Sequence, residues 1–185
     1  MTVHPRSENN PEIAHRTPTA YAFTPHRVPL AEVGKVSVAS FDRIREWLKQ
    51  HRQTPIAAPF VRYRRIEMTG TLDIEIGVPV EAPGKGGDGI GFGEIPAGPY
   101  ARLLWSGPYD TLIHGNSRLV EWGKQRGIHW DMAPSPDGDL FAARLETFLI
   151  GPAQEPDPAK WLTEIAIRVA ERASSEPGNY SLSVP

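Results

Sequence analysis

The chain has 185 residues, of which 39% are hydrophobic, and a formal net charge of −2. This size and balance suit one soluble domain and give no electrostatic footprint for direct nucleic-acid binding. No run reaches the roughly 18 apolar residues of a membrane span, and no apolar signal sequence follows the first residue, so we expect no membrane contact. The sequence contains no cysteine, which excludes disulfides and thiolate metal sites and fits a cytoplasmic protein.

The two ends of the sequence and one internal stretch differ in composition from the rest. Residues 1–11 and 171–185 are polar and lack hydrophobic periodicity, so we predict mobile tails on either side of one domain at 12–170. The internal stretch, EAPGKGGDGIG at 81–91, is rich in glycine. We predict that it is a flexible linker between two halves of the domain.

The two halves repeat the same short patterns in the same order. RIREWLKQ at 43–50 and RLVEWGKQ at 118–125 share five of eight residues, and EIGVPV at 75–80 and EIAIRV at 164–169 follow them. Self-similarity of this kind indicates a duplicated structural unit. The sequence therefore predicts two copies of one unit within a single domain.

Each repeat predicts a strand, a helix and two further strands, with repeat one at about 12–80 and repeat two at about 90–170. The first helix is predicted to begin near Pro29, and the second to begin with Asp110 as its N-cap and to end at Gly127. LDIEIGVPV alternates apolar and polar residues, as a half-buried strand does. Further strands are predicted in TAYAFTPHRV, PFVRYRRIEM, GFGEIPAGPYARLLW, DLFAARLETFLI and WLTEIAIRV.

These elements predict an α+β fold. Two β-α-β-β units form a mainly antiparallel sheet, and their two helices cover one region of it. Trp47 and Trp122 occur at the same place in both repeats. We assign them to packing between helix and sheet.

Glu146 is the residue that the strand pattern singles out. It stands in FAARLETFLI, where period-two alternation puts it on the same face as Arg144 and Phe148. A carboxylate buried there without a partner is costly. It is therefore either a binding group in a lined pocket or an ordinary carboxylate that is solvated or paired with Arg144. Glu67, in YRRIEM, aligns with Glu146 in the first repeat but has a more charged setting.

Aromatic side chains are the second candidate feature, because flat rings line many small-molecule sites. Each ring alone is more commonly a core residue. The candidate ligand-binding wall consists of Tyr63, Phe92, Trp105, Tyr109, Trp130, Phe148 and Trp161.

No histidine pair has the spacing of a multi-ligand metal site, so we expect no metal and no cofactor.

Several short motifs follow one another along the chain: IPAG at 95–98, GPY at 107–109, LVEW at 119–122, the Glu146 strand, PDP at 156–158 and TEI at 163–165. Their order resembles the GyrI-like small-molecule-binding family, from about residue 17 to residue 169. A histidine is common in that family two residues before GPY, where this chain has Trp105. The resemblance implies a duplicated domain with a central ligand cleft, in which an acidic residue and aromatic rings bind bulky lipophilic cations. Glu146 and Phe148 match that pattern.

The resemblance implies three functions, and the sequence leaves the choice open. The first is a stand-alone binder of bulky aromatic or lipophilic-cationic small molecules, since no helix-turn-helix segment of AraC or MerR type accompanies the domain. The second is hydrolysis of cyclopropane-bearing DNA-alkylating natural products, with Glu146 as general base or acid and Tyr109 orienting the substrate. The third is inhibition of gyrase or of a partner regulator through a protein contact.

Overall fold

A computed structural model describes residues 10–67 and 70–171 of the chain. The predicted tails lie almost entirely outside these described residues. Within them, the chain forms β1 (Glu12–Arg16), β2 (Thr19–Pro29), α1 (Val33–Gln50), β3 (Phe60–Ile66), β4 (Thr71–Pro79), β5 (Gly91–Ile95), β6 (Gly98–Ser106), α2 (Leu112–Gln125), β7 (Met132–Ala133), β8 (Asp139–Phe141), β9 (Arg144–Ile150) and β10 (Leu162–Arg168).

The strands form one antiparallel sheet in the order β1-β6-β10-β9-β3-β4-β2-β5, and β7 and β8 extend it beside β3. Helix α1 packs on β2 and β4, and helix α2 packs on β6 and β10. The two central strands, β3 and β9, therefore lie between the helices. This confirms the predicted α+β fold. No helix among the described residues is long and apolar enough to cross a membrane.

The ladders of the sheet relate the two halves by an approximate twofold axis. In the first half, β2 pairs with β4 and β4 with β3; in the second, β6 pairs with β10 and β10 with β9. Tyr21 pairs with Pro79, and its counterpart Tyr100 pairs with Arg168. The first strands are exchanged, since β1 pairs with β6 and β5 pairs with β2. Each half thus completes the sheet edge of the other.

Register shows which residue occupies the position of Glu146 in the first half. Ile76 of β4 corresponds to Ile165 of β10 in the aligned EIGVPV and EIAIRV segments. Ile165 pairs with Glu146, and Ile76 pairs with Val61. Val61 is therefore the structural counterpart, and assigning Glu67 to that position was wrong. Val61 also pairs directly with Glu146 across β3 and β9, so the axis passes between them.

The start of α2 differs in detail from the sequence prediction, whereas its end does not. A short 3-10 turn over Tyr109–Thr111 precedes α2, and the N-cap is Thr111 without a side-chain cap bond. Asp110 lies inside that turn, so its assignment as N-cap was wrong. The end of α2 is as predicted, because Gly127 follows it with φ at +62°, a conformation that glycine adopts without strain.

Both faces of the sheet are packed. The helix-facing side holds two apolar clusters, one under each helix, and Phe148 touches both of them. The opposite face holds a third cluster around Tyr21, Phe60 and Leu145. Arg62 is buried on that side and donates to the Tyr21 hydroxyl (2.6 Å) and to the carbonyl of Ala142 (2.6 Å). The bond to Ala142 ties β3 of the first half to the bend that leads into β9.

Candidate functional site

The candidate site lies on the helix-facing side of β3 and β9, in the gap that the helices leave uncovered. Its floor is formed by Val61 and Tyr63 from β3 and by Glu146 and Phe148 from β9. Residues two apart on a strand share a face, so each strand contributes two side chains to this gap. We call it the inter-helix groove. It lies on the twofold axis, where the two halves meet.

Glu146 is buried in the groove, with 7% of its surface exposed. The Tyr63 hydroxyl donates to Oε2 (2.8 Å), and the Asn116 side-chain amide of α2 donates to Oε1 (2.7 Å). Each carboxylate oxygen therefore has one protein donor, one from each half of the molecule. Since an ionised carboxylate has about four lone-pair sites, capacity for a further partner remains.

The pKa of Glu146 is raised above the ordinary value of 4.5, chiefly because burial penalises the charged form. The hydrogen bonds from Tyr63 and Asn116 and the positive charge of Arg144 act in the opposite direction and partly offset that penalty. The pKa of the Tyr63 hydroxyl is also raised, first by burial and then by the adjacent carboxylate. Tyr63 therefore stays protonated and acts as a hydrogen-bond donor at neutral pH.

Asn116 links Glu146 to Arg144. Its amide nitrogen donates to Glu146 and to the backbone carbonyl of Leu112 (3.0 Å), while its amide oxygen accepts from Arg144 Nη2 (2.9 Å). With a carboxylate on one side and a guanidinium on the other, only one orientation of the amide satisfies both neighbours. Arg144 and Glu146 are thus joined through the amide rather than by a direct ion pair.

Aromatic rings fill the groove beside Glu146. The Phe148 ring meets Phe41 of α1 at 5.9 Å between centroids and Tyr109 at 5.1 Å, both edge to face. Tyr109 in turn lies 4.6 Å from the ring of Trp161. Phe148 therefore bridges α1 and the 3-10 turn that precedes α2. A bulky ligand that reaches Glu146 must take the place of one of these rings, which are only partly buried.

Trp105 packs against α2 at the side of this aromatic group. Its indole nitrogen donates to the Thr111 hydroxyl (2.9 Å), which holds the ring at the start of the helix. A Cβ on Gly115 would lie 3.0 Å from the Trp105 ring and 2.6 Å from Ile165, so the missing side chain lets the helix approach the sheet. Trp105 takes the place that His26 occupies in the first half. There, Nε2 of His26 lies 2.8 Å from the Ser40 hydroxyl.

The other predicted ligand-binding rings lie outside the groove. Phe92 packs on Trp47 at 5.9 Å under the end of α1. Trp130 packs against Gly123 under the end of α2. Of the two predicted tyrosines, Tyr63 donates its hydroxyl to Glu146, whereas the hydroxyl of Tyr109 lies beside Gly151. The structure thus brings together Glu146, Tyr63, Phe148, Tyr109 and Trp161, with Trp105 at the side, and places Phe92 and Trp130 under the helix ends.

Three residues of the groove were missed by sequence reasoning as site members. Asn116 lies four residues after the buried Leu112, on the helix face that the apolar stripe predicts to be buried, so a polar side chain there was a usable signal. Phe41 belongs to the apolar stripe of α1 and carries no sequence signal of its own. Arg144 was considered only as an ion-pair partner of Glu146.

Two surface cavities, each of about 390 Å³, open elsewhere on the molecule. One borders α2 at Trp122 and Arg126, and the other borders His26 and Glu75. Neither is lined by Glu146. The groove is occupied by its own aromatic side chains, and its chemistry distinguishes it from these two cavities.

A comparison with protein families gives one match, the GyrI-like small molecule binding domain, over residues 9–170. The chain belongs to the GyrI-like family. The match covers both repeats and the whole described sheet. No curated protein sequence matches the chain.

Several solved structures share the fold. The EcmrR chain of a cryo-EM EcmrR–DNA complex has a TM-score of 0.71 at 20% identity, and the comparison covers 88% of this chain and 57% of that one. The EcmrR C-terminal domain gives a TM-score of 0.65 at 20% identity over 88% of this chain and 98% of that one. SAV2435 bound to tetraphenylphosphonium gives a TM-score of 0.53 at 10% identity, and the comparison covers 87% of this chain and 94% of that one.

Proposed function

We propose that this protein binds bulky aromatic or lipophilic-cationic small molecules in the inter-helix groove. The observation that carries the proposal is the buried Glu146 carboxylate, which lies next to the ring cluster of Phe148, Tyr109 and Phe41. A carboxylate supplies charge for a cation, and ring faces supply flat apolar contact. Membership of a small-molecule-binding family supports this choice.

The energetics of such a site favour delocalised cations. A cation over an aromatic face gains roughly 0.5–2 kcal/mol per contact, with the larger value where water is excluded. A small, strongly hydrated cation would lose its water shell on reaching the buried Glu146, whereas a large delocalised cation loses less. Neither interaction demands fixed hydrogen-bond geometry. The groove therefore suits many ligand shapes, as multidrug binding, sequestration or sensing requires.

A structural neighbour adds support of a coarser kind. SAV2435 shares the fold at 10% identity and was solved with tetraphenylphosphonium. That ligand is a bulky lipophilic cation, the class that the groove chemistry favours. We propose the same ligand class for this chain because of Glu146 and its rings.

The test is a fluorescence-polarisation titration of rhodamine 123, a flat delocalised cation, against the wild type and Glu146→Gln. We expect the wild type to bind at micromolar concentration and the variant to lose at least tenfold in affinity, or about 1.4 kcal/mol. Gln keeps the shape of the side chain and removes its charge. Glu121→Gln, on the exposed face of α2, is the matched control and should bind as the wild type does.

Equal affinity of the wild type and Glu146→Gln would refute the charge-partner role of Glu146. Equal losses in Glu146→Gln and Glu121→Gln would refute it as well, because the effect would then come from the overall charge of the surface. Thermal unfolding of each variant shows that a loss of binding is not a loss of fold.

Hydrolysis of cyclopropane-bearing DNA-alkylating natural products is the second candidate. The observation that favours it is the raised pKa of Glu146, since a carboxyl group with a pKa nearer neutrality is a better general acid or base. In this alternative, Tyr63 holds the carboxyl group through its hydroxyl, and Tyr109 remains the candidate that orients the substrate. The test is the wild-type turnover of such a strained substrate, and its loss in Glu146→Gln. The cytoplasmic location and the absence of direct nucleic-acid contact stay predictions.

A further inference from the structure

Arg144 differs from every other strand arginine among the described residues. Seven arginines on the strands have a carboxylate oxygen within 4.0 Å of the guanidinium, whereas Arg144 has none. Its contacts are a single hydrogen bond to Asn116 and a position 5.2 Å from the centroid of the Phe141 ring. A guanidinium has five N–H donors, so most of them lack a protein acceptor.

Arg144 is partly buried and has no carboxylate in direct contact. Burial lowers the pKa of its guanidinium below the ordinary value, and the negative charge of Glu146 acts in the opposite direction. The charge of Glu146 therefore offsets part of the cost of burial, but it does not occupy the N–H donors of Arg144. On the other strands the chain places an acid beside each arginine, so its absence here leaves a charged donor group open to another acceptor.

Arg144, Glu146 and Phe148 follow one another on one face of β9. Side chains two residues apart on a strand lie about 7 Å apart. The groove side of β9 therefore presents a cation, an anion and an aromatic ring in a row. The Asn116 amide forms hydrogen bonds with both charged groups. These bonds hold the carboxylate and the guanidinium at separate positions along β9.

We propose that Arg144 binds a carboxylate of the ligand, so that aromatic cations that also carry a carboxylate gain a contact that simple cations lack. The cationic part of the ligand lies at Glu146, its rings lie at Phe148, and its carboxylate lies at Arg144. The separation of the two charges in such a ligand is about 7 Å, from the strand spacing. This inference rests on the proposed binding at Glu146 and adds a second polar anchor to it.

The test compares two dyes that differ at one group. Rhodamine 123 is a methyl ester and a cation, whereas rhodamine 110 has the free carboxylate and is a zwitterion at neutral pH. We expect Arg144→Gln to weaken the binding of rhodamine 110 about tenfold more than that of rhodamine 123, because only the zwitterion loses a carboxylate contact. Arg144→Lys keeps the charge without the planar fork, so it should restore part of the rhodamine 110 affinity.

Arg45→Gln, on the exposed side of α1, is the matched control and should leave both dyes unchanged. Equal losses for both dyes in Arg144→Gln would overturn the inference, because Arg144 would then act only through Asn116 and Glu146. Unchanged binding of rhodamine 110, or no binding of it by the wild type, would overturn it too.

Failure of the proposed function gives a different result. In that case Glu146→Gln binds rhodamine 123 as the wild type does, whatever Arg144→Gln does to rhodamine 110. Unfolding midpoints of the Arg144 variants are measured alongside, because Arg144 is only partly buried and both substitutions should preserve the fold.

Discussion

The two halves of the molecule share one backbone plan but bring different side chains to the axis between them. Val61 in the first half corresponds to Glu146 in the second, and Tyr63 corresponds to Phe148. On the helices, the aligned repeats place Phe41 where the second half has Asn116. One half thus offers apolar side chains and a hydroxyl, and the other offers a carboxylate, an amide and a ring.

This difference gives the duplicated fold one carboxylate at the axis instead of two. At a twofold axis, equivalent residues face each other, so two identical carboxylates would lie side by side in the groove. Like charges at such a short distance disfavour each other strongly. Keeping Glu146 and replacing its counterpart with Val61 removes that repulsion. It also frees the first half to supply Tyr63 as a donor to the single carboxylate.

Placing a second carboxylate at the axis is expected to have the largest effect on stability. Val61 is fully buried and pairs with Glu146, so Val61→Glu places a second carboxylate against the first. We expect a loss of roughly 3 kcal/mol or more in unfolding free energy at pH 7, measured by chemical denaturation.

Val61→Gln is its control, since the amide has the same size and no charge. The difference between the two variants should shrink as the pH falls and one carboxyl group takes up a proton. If both variants have the same stability at pH 7, water reaches position 61 and the repulsion argument is wrong.

Removing the contribution of the first half to Glu146 is expected to have the next largest effect. Tyr63→Phe deletes the hydroxyl that donates to Oε2, and hydrogen bonds to charged groups contribute roughly 1.5–3 kcal/mol. Since that bond lowers the pKa of Glu146, its loss should raise the pKa further. The pH at which rhodamine 123 binding reaches half its maximum should then move upward.

Tyr100→Phe, which removes a hydroxyl bonded to the carbonyl of Pro96 outside the groove, should leave that pH midpoint in place. A midpoint that shifts equally in both variants would show that the Tyr63 hydroxyl does not act on Glu146.

The raised pKa of Glu146 also gives a stability effect with a definite sign. Because the pKa is higher in the folded state than the ordinary 4.5, the folded protein holds this proton more tightly than the unfolded chain does. The stabilisation from the protonated form is complete below pH 4.5 and is lost as the pH rises through the folded-state pKa.

Denaturation curves of the wild type and Glu146→Gln from pH 4 to pH 8 measure this effect. The wild type should lose stability relative to the variant as the pH rises, by about 1.4 kcal/mol for each unit of pKa difference. A difference that stays constant over this range, or that changes in the opposite direction, would contradict a raised pKa.

The smallest effect is expected at Glu67, which resembles Glu146 in sequence but not in position. Glu67→Gln should change the unfolding free energy by less than about 0.5 kcal/mol, because Glu67 is only partly buried and lies outside the groove. It should leave rhodamine 123 affinity unchanged. A loss of binding comparable to that of Glu146→Gln would show that the register-based correspondence with Val61 is not the functional one.

Much of the fold is predictable from the sequence because its signals are local. Hydrophobic alternation in LDIEIGVPV and the repeated RxxEWxKQ pattern (43–50 and 118–125) depend only on neighbouring residues. The face of Glu146 followed from the same alternation, with Arg144 and Phe148 beside it. The exchange of β1 and β5 had no local signal, since it depends on how the two halves meet.

The partners of Glu146 were less predictable because they come from distant parts of the chain. Tyr63 is 83 residues away in sequence, and Asn116 is 30 residues away. The apparent match of YRRIE with ARLE also misled, because Glu67 lies just past the end of β3 whereas Glu146 lies inside β9. Only the ladder registers reveal that Val61 takes the equivalent place.

We propose that one buried carboxylate at the axis selects ligands by their charge. Calorimetric titration of tetraphenylphosphonium and of neutral triphenylphosphine oxide against the wild type and Glu146→Gln tests this directly. We expect the wild type to prefer the cation at least tenfold, about 1.4 kcal/mol, and this preference to disappear in the variant. A preference that persists in Glu146→Gln, or that is missing in the wild type, would contradict it.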